Sequence, residues 1–221
     1  MSLRTAFIVS MLAAAGAQGV RAQDSKINSN LGMGVSVPLN PMASYIGAGV
    51  NAVAGVGYNI NRHNSLVGQF MWSSLPANRD ALLPIRAVLG TNNISSTSNL
   101  FAVTGNYRHQ WQGKVFGFYL IGGGGVYYRY TSLSRQVVTG NAIVCTPIWE
   151  FWGYGCAAGV VSQDQTLYSN GSTAGGGNGG VGFTIRITED GYKFYVEARY
   201  HYAATRGIAT TLIPITLGFS W

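Results

Sequence analysis

The segment VGFTIRITEDGYKFYVEARYHYAATRGIATTLIPITLGFSW, residues 181–221, reads as three successive strands, each with one oily face. In the last of them Thr211, Ile213, Ile215, Leu217, Phe219 and Trp221 alternate with Leu212, Pro214, Thr216, Gly218 and Ser220, a period of two with the large apolar set on one side. Upstream, Tyr192, Phe194, Val196, Ala198, Tyr200 and Tyr202 oppose Lys193, Tyr195, Glu197, Arg199 and His201. Before these, Val181, Phe183, Ile185 and Ile187 alternate with Gly182, Thr184, Arg186 and Thr188. Asp190-Gly191 is a dipeptide favoured in two-residue type I′ hairpins. A turn centred there pairs Ile187 with Phe194, Ile185 with Val196, Phe183 with Ala198 and Thr184 with Glu197, so that apolar meets apolar and polar meets polar.

Five more strands precede this segment, at Leu31–Val37, Ile46–Asn59, Ser65–Ser74, Asn99–Arg108 and Val115–Tyr130. The stretch Leu75–Ser98 reads as a loop, because Pro84 disfavours a long helix over Ala81–Leu89. Residues 131–178 form the longest connection and are expected to be a loop. Short turns near Asn61, Gly113 and Gly191 alternate with longer connections near Pro41, Leu83, Val160 and Thr205. The pattern predicts an all-β, up-and-down, antiparallel barrel of eight strands.

Met1–Arg4 is positive, Ala6–Ala17 is apolar, and Val20-Arg21-Ala22 offers a small-x-small cleavage site. This predicts a signal peptide over residues 1–22 and a barrel domain over residues 23–221, since the apolar run is shorter than the roughly 20 residues a bilayer requires. Later segments contain no apolar helical span, so any membrane crossing must be by strands. Removing Arg4 and Arg21 lowers the net charge from +7 by two, to +5. The basic residues are scattered singly, which speaks against nucleic-acid binding and leaves anionic lipid headgroups as the partner for that charge. The 31 glycines and 13 tyrosines suit a wall that bends and sits between lipid and water.

The signal, the eight alternating strands, the turn asymmetry and the terminal aromatic together resemble the small bacterial outer-membrane barrels typified by outer-membrane proteins A, X and W. The resemblance spans Ser29 to Trp221. It implies a monomer in the outer membrane of a Gram-negative bacterium, surrounded by outer-membrane lipid and lipopolysaccharide. It also implies a last strand whose Phe219 and Trp221 are read by the barrel assembly machinery, and no periplasmic peptidoglycan-binding domain after the barrel. It specifies no ligand.

Parity assigns an inward polar set of Asn51, Gln69, Asn106, Arg108, Tyr119, Arg129, Arg186, Tyr195, Glu197, Arg199 and His201. Eight strands leave an interior that side chains fill, which favours a hydrogen-bonded polar plug, with Arg186 pairing diagonally to Glu197. The alternative is a narrow anion-preferring pore for small solutes, since inward Arg outnumbers inward Glu. A lipid A-modifying enzyme ranks third: His201 is the one histidine at the outward end, His63 and His109 lying at the other, and Ser73, Ser132 and Asp80 are scattered companions.

Cys145 and Cys156, in an oxidising compartment, are expected to form a disulfide. It would close a loop around Trp149, Phe151, Trp152 and Tyr154, an aromatic surface for packing or for an extracellular ligand or protein. The glycine runs lack the Lys-Ser/Thr of a phosphate-binding loop, so no catalytic set, cofactor or metal is expected. The function these readings favour is an outer-membrane barrel with a structural or surface-interaction role.

Overall fold

The computed structural model describes residues 26–89, 93–147, 154–188 and 191–221. Eight strands follow one another in chain order: β1 (Ile27–Pro38), β2 (Gly49–Asn59), β3 (Asn64–Pro76), β4 (Ile94–Gln112), β5 (Phe116–Pro147), β6 (Tyr154–Arg186), β7 (Lys193–Ala203) and β8 (Thr210–Ser220). Every strand pairs antiparallel with its neighbours, and β1 pairs with β8, so the sheet closes into a barrel. Closure leaves no free edge along the wall, which is the condition for placing strand backbone in lipid.

Alternation turns the sheet inside out relative to a soluble protein. Met33, Phe70, Val103, Phe183, Leu217 and Phe219 are exposed on the outside. Gln69, Asn106, Glu197, Arg199 and His201 are buried within. An apolar belt around a polar interior is what lipid outside and a filled lumen inside demand.

The connections are short at one end of the barrel and longer at the other. At the long end, the connection between β3 and β4 contains a helix, α1 (Arg79–Leu89), where the sequence pattern suggested a loop. Asn78 caps it, its Oδ1 accepting from the Asp80 N–H at 3.2 Å. Pro84 removes one backbone donor yet sits on the exposed face, while Leu82 is buried beneath, so packing outweighs the lost bond.

Two further expectations are corrected. The described residues of the stretch 131–178, 131–147 and 154–178, continue β5 and β6 as paired strands, with register irregularities at Leu133/Ser134 and Val138/Gly140. The β6–β7 register also differs by two residues from the expected one: Ile185 pairs with Phe194, Phe183 with Val196 and Thr184 with Tyr195. The Ile187 N–H donates to the Tyr192 carbonyl at 2.9 Å, so residues 188–191 form the connection, with Gly191 at φ 95°. A two-residue slip keeps every side chain on its face, and hydrophobic patterning therefore cannot detect it. Residues 1–22 and the aromatics Trp149, Phe151 and Trp152 lie outside the described residues, as does the side chain of Tyr154.

Candidate functional site

The lumen is built by the inward positions of all eight strands, and it has two chemically distinct parts. Toward the short-turn end lies a charged network centred on β7. Glu197 accepts from Arg199 Nη2 at 2.6 Å and from the Tyr119 hydroxyl at 2.9 Å. Arg199 Nη1 reaches across the barrel to Gln69 Oε1 at 2.5 Å, joining β7 to β3, and to Asn178 Oδ1 on β6 at 3.4 Å. The Arg108 guanidinium lies 5.5 Å from the centre of the Tyr119 ring and donates through Nε to Ser65 Oγ at 3.1 Å. Glu197, Arg199, Tyr119 and Tyr195 are all nearly inaccessible. An ion pair so removed from water needs partners for its remaining lone pairs and protons. Gln69 and Asn178 supply them for Arg199 Nη1 and Tyr119 for Glu197 Oε2, while Arg199 Nε is buried without one among the described residues.

Glycine makes room for the two large tyrosines. A Cβ at Gly182 would run into the ring of Tyr119, and one at Gly32 would run into the Tyr195 hydroxyl. Tyr119 thus leans over its neighbouring strand β6, and Tyr195 over β1 two strands away, where only hydrogen fits.

A second polar cluster ties β1, β2, β3 and β8 together. Asn51 Nδ2 donates to Ser36 Oγ at 3.3 Å, the Ser36 and Ser73 hydroxyls are 3.0 Å apart, and Thr216 Oγ1 donates to Asn51 Oδ1 at 3.1 Å. Asn106 Nδ2 donates to Thr104 Oγ1 at 3.0 Å.

Toward the long end the interior turns apolar. Val53, Met71, Leu100, Ala102, Tyr127, Ala203 and Leu212 form one contiguous cluster, and Ala174 packs against it. Its members come from six strands, β2 to β5, β7 and β8, and Ala174 adds β6, so the cluster reaches across the lumen from every strand but β1. Leu100, Tyr127 and Leu212 have 0% exposure, which leaves no room for a water-sized sphere beside them. Beyond the cluster, a cavity of about 320 Å³ opens between α1, the first loop and the rim of β4–β6, with Arg129 at its base. At the short-turn mouth a smaller cavity of about 60 Å³ is lined by Asn28, Arg108, Gln110 and Lys193.

The structure thus places Asn51, Gln69, Asn106, Tyr119, Tyr195, Glu197, Arg199 and His201 in the interior with little or no exposure. Arg108, Arg129 and Arg186 are partly buried nearer the mouths. The expected Arg186–Glu197 pair is replaced by Arg199–Glu197, two residues apart on the same strand face. His201 Nδ1 shares a 2.9 Å hydrogen bond with the Tyr127 hydroxyl, Ser73 bonds to Ser36, and Asp80 sits in the first turn of α1. These residues are therefore not brought into one hydrogen-bonded set. His63 and His109 stack at the short-turn end, with His109 Nδ1 2.6 Å from Asn64 Oδ1.

Among the described residues no three His, Cys, Asp or Glu side chains gather to hold a metal ion. Backbone register sets Cys145 directly opposite Cys156; their side chains lie outside the described residues. The apolar cluster is the feature that sequence reasoning passed over. Its signal was present, because an outward Phe101 and Val103 require an inward Leu100 and Ala102.

No family model matches the chain, and no curated protein matches its sequence. Among solved structures it is similar to Neisserial surface protein A, at 11% identity and a TM-score of 0.50, over 89% of this chain and 96% of that one. It is also similar to Ail, the attachment invasion locus protein of Yersinia pestis, at 12% identity and a TM-score of 0.48, over 89% of this chain and the whole of the other. The fold is that of a small outer-membrane β-barrel. In such a barrel the exposed belt faces lipid, and the two mouths and the protruding hairpin are what remain for water and partners.

Proposed function

We propose that this protein is an outer-membrane barrel whose lumen is closed and whose function is carried at its surface by the β5–β6 hairpin. Residues 1–22 direct export, the short turns face the periplasm, and α1 and the hairpin face outward. The single observation that carries the reading is the apolar cluster spanning the lumen at 0% exposure of Leu100, Tyr127 and Leu212. An ion crossing it would lose its water against hydrocarbon, with no charged group of the cluster to replace the shell. The polar network below supports the same reading, since Glu197 binds both Arg199 and Tyr119, and Arg199 binds Gln69 across the lumen.

With the interior committed, the outer hairpin is the feature left without a structural role. Residues 161–171 of β6 are exposed on both faces. A two-stranded ribbon projecting into water is marginal alone and gains from a third strand or a covering surface. A Cys145–Cys156 disulfide between the directly opposed strands would staple the outer end of the paired strands. Export and membrane insertion place it among outer-membrane lipid and lipopolysaccharide, with Phe219 and Trp221 presented to the assembly machinery.

Surface display is tested by introducing cysteine at Ser162 and labelling intact cells with a membrane-impermeant maleimide, in a variant lacking Cys145 and Cys156. Labelling at Ser162 and none at a cysteine replacing Asn61 is expected. The reverse pattern would overturn the orientation and the role with it.

A further inference from the structure

The 320 Å³ cavity at the long end lies on the axis side of the wall. Ser98, Arg129 and Thr131 share their parity with the inward Leu100 and Tyr127, one or two inward steps further out. The apolar cluster lies on the short-turn side of it, since Leu100 and Tyr127 lie nearer that end than Ser98 and Arg129 along the inward faces of β4 and β5. Its walls are hydrocarbon from four separate parts of the chain: Met42 and Ile46 of the first loop, Leu82 and Ile85 of α1, Leu133 of β5 and Ile208 of the last loop. The volume falls at the lower end of the roughly 300–1,000 Å³ usual for small-molecule sites.

Its polar groups are few, and most are already satisfied. The Ser98 and Thr131 hydroxyls bond to each other at 2.8 Å. Arg129 differs. Its Nη1 donates to the Ile208 carbonyl at 3.0 Å and to Thr210 Oγ1 at 3.3 Å, which fixes the guanidinium plane. Those are its hydrogen bonds among the described residues, out of five N–H donors a guanidinium carries. Among the described residues no Asp or Glu lines the cavity, so a partly buried cation faces an oily chamber without a carboxylate from them.

From this pairing of an apolar chamber with one oriented, uncompensated guanidinium, we propose that the cavity binds a free medium-chain fatty carboxylate. The chain lies under α1, and the carboxylate accepts two hydrogen bonds from Arg129. A carboxylate supplies the missing charge in the planar geometry that a guanidinium matches, and an acyl chain replaces water along Leu82, Ile85 and Leu133. A bilayer lipid is the poorer occupant, because the chamber faces the axis and its acyl chain would have to leave the belt.

The test is dodecanoate titrated into the refolded protein in lipid nanodiscs, with heat-modifiable gel migration verifying that each variant is folded. The wild type is expected to bind one dodecanoate saturably above the partitioning of empty nanodiscs. Arg129→Gln should weaken binding roughly 10-fold or more, the worth of a charge-assisted hydrogen bond. Dodecanol, which lacks the charge, should bind the wild type correspondingly more weakly. Ala81→Trp, on a helix outside the barrel wall, should fill the chamber and abolish binding of both. Absence of saturable binding to folded wild type would overturn the proposal. So would dodecanoate binding that neither substitution changes, since that locates the amphiphile in the belt.

Discussion

β7 and the outer half of β6 are both antiparallel strands, yet they live under opposite constraints. Along β7, Tyr195, Glu197, Arg199, His201 and Ala203 are buried, while Tyr200 and Tyr202 between them are exposed. Along β6, every residue from 161 to 171 is exposed. In the wall each side chain has one of two surroundings, lipid or a filled interior, and the alternation records which. In the hairpin water lies on both faces, and the strands are held by the backbone ladder with a few exposed side-chain bonds, such as Arg135 Nη2 to Gln165 Oε1 at 3.3 Å. Alternation is thus a signature of two unlike surroundings rather than of strand structure itself.

That difference can be broken or sharpened by substitution. The largest effect belongs to Glu197, whose removal leaves Arg199 and the nearby Arg108 without a carboxylate inside the wall. Glu197→Ala should lower unfolding stability in lipid vesicles by about 3–5 kcal/mol, read by denaturant titration. Equal stability of the variant would mean that the network does not bind the wall together. Next comes the belt. Ile215, outward and midway along β8, should tolerate arginine poorly, Ile215→Arg losing about 2–4 kcal/mol in the same assay. If this position faced water rather than lipid, the loss would vanish.

Gly182→Val should cost about 1–3 kcal/mol, because the new side chain displaces Tyr119 from its bond to Glu197. Combining Gly182→Val with Tyr119→Ala should recover part of that loss, whereas additive losses would show that the glycine matters for another reason. The smallest effect belongs to the hairpin. Gln136 and Asp164 are directly paired, so residues 137–163 can be replaced by a short Gly-containing turn between them. Barrel stability should then move by no more than about 0.5 kcal/mol, as for exposed positions generally. A loss as large as that of Glu197→Ala would erase the distinction between the two regions.

The same contrast explains which parts of the architecture were legible beforehand. Eight strands, their order and the faces of the inward residues follow from parity, because lipid and lumen select unlike side chains at alternate positions. Absolute register did not follow. Pairing Ile185 with Phe194 or with Val196 satisfies the faces equally, and the choice rests on the four-residue connection 188–191. Glu197's partner was misassigned for the same reason, Arg186 being placed two residues too near. The sequence QDQTLYSNGST, residues 163–173, has no periodicity because neither of its faces packs, so it reads as loop although it is strand. Helix α1 was hidden by Pro84, which is harmful to a helix only where its missing donor and ring are not turned outward. The apolar cluster across the lumen needed three-dimensional closure, since Leu100 and Tyr127 on the paired β4 and β5 join Leu212 on β8 only when the ring closes.

Closure of the lumen is the claim on which the rest depends. Single-channel recording of the inserted, mature protein in planar bilayers under a salt gradient tests it most directly. The account predicts silence from protein whose insertion is demonstrated independently, and steps only when the apolar layer is opened, as by Leu100→Gly with Leu212→Gly. Reproducible anion-selective steps in the wild type, lost when Arg199 is replaced by glutamate, would contradict it and make the barrel a pore.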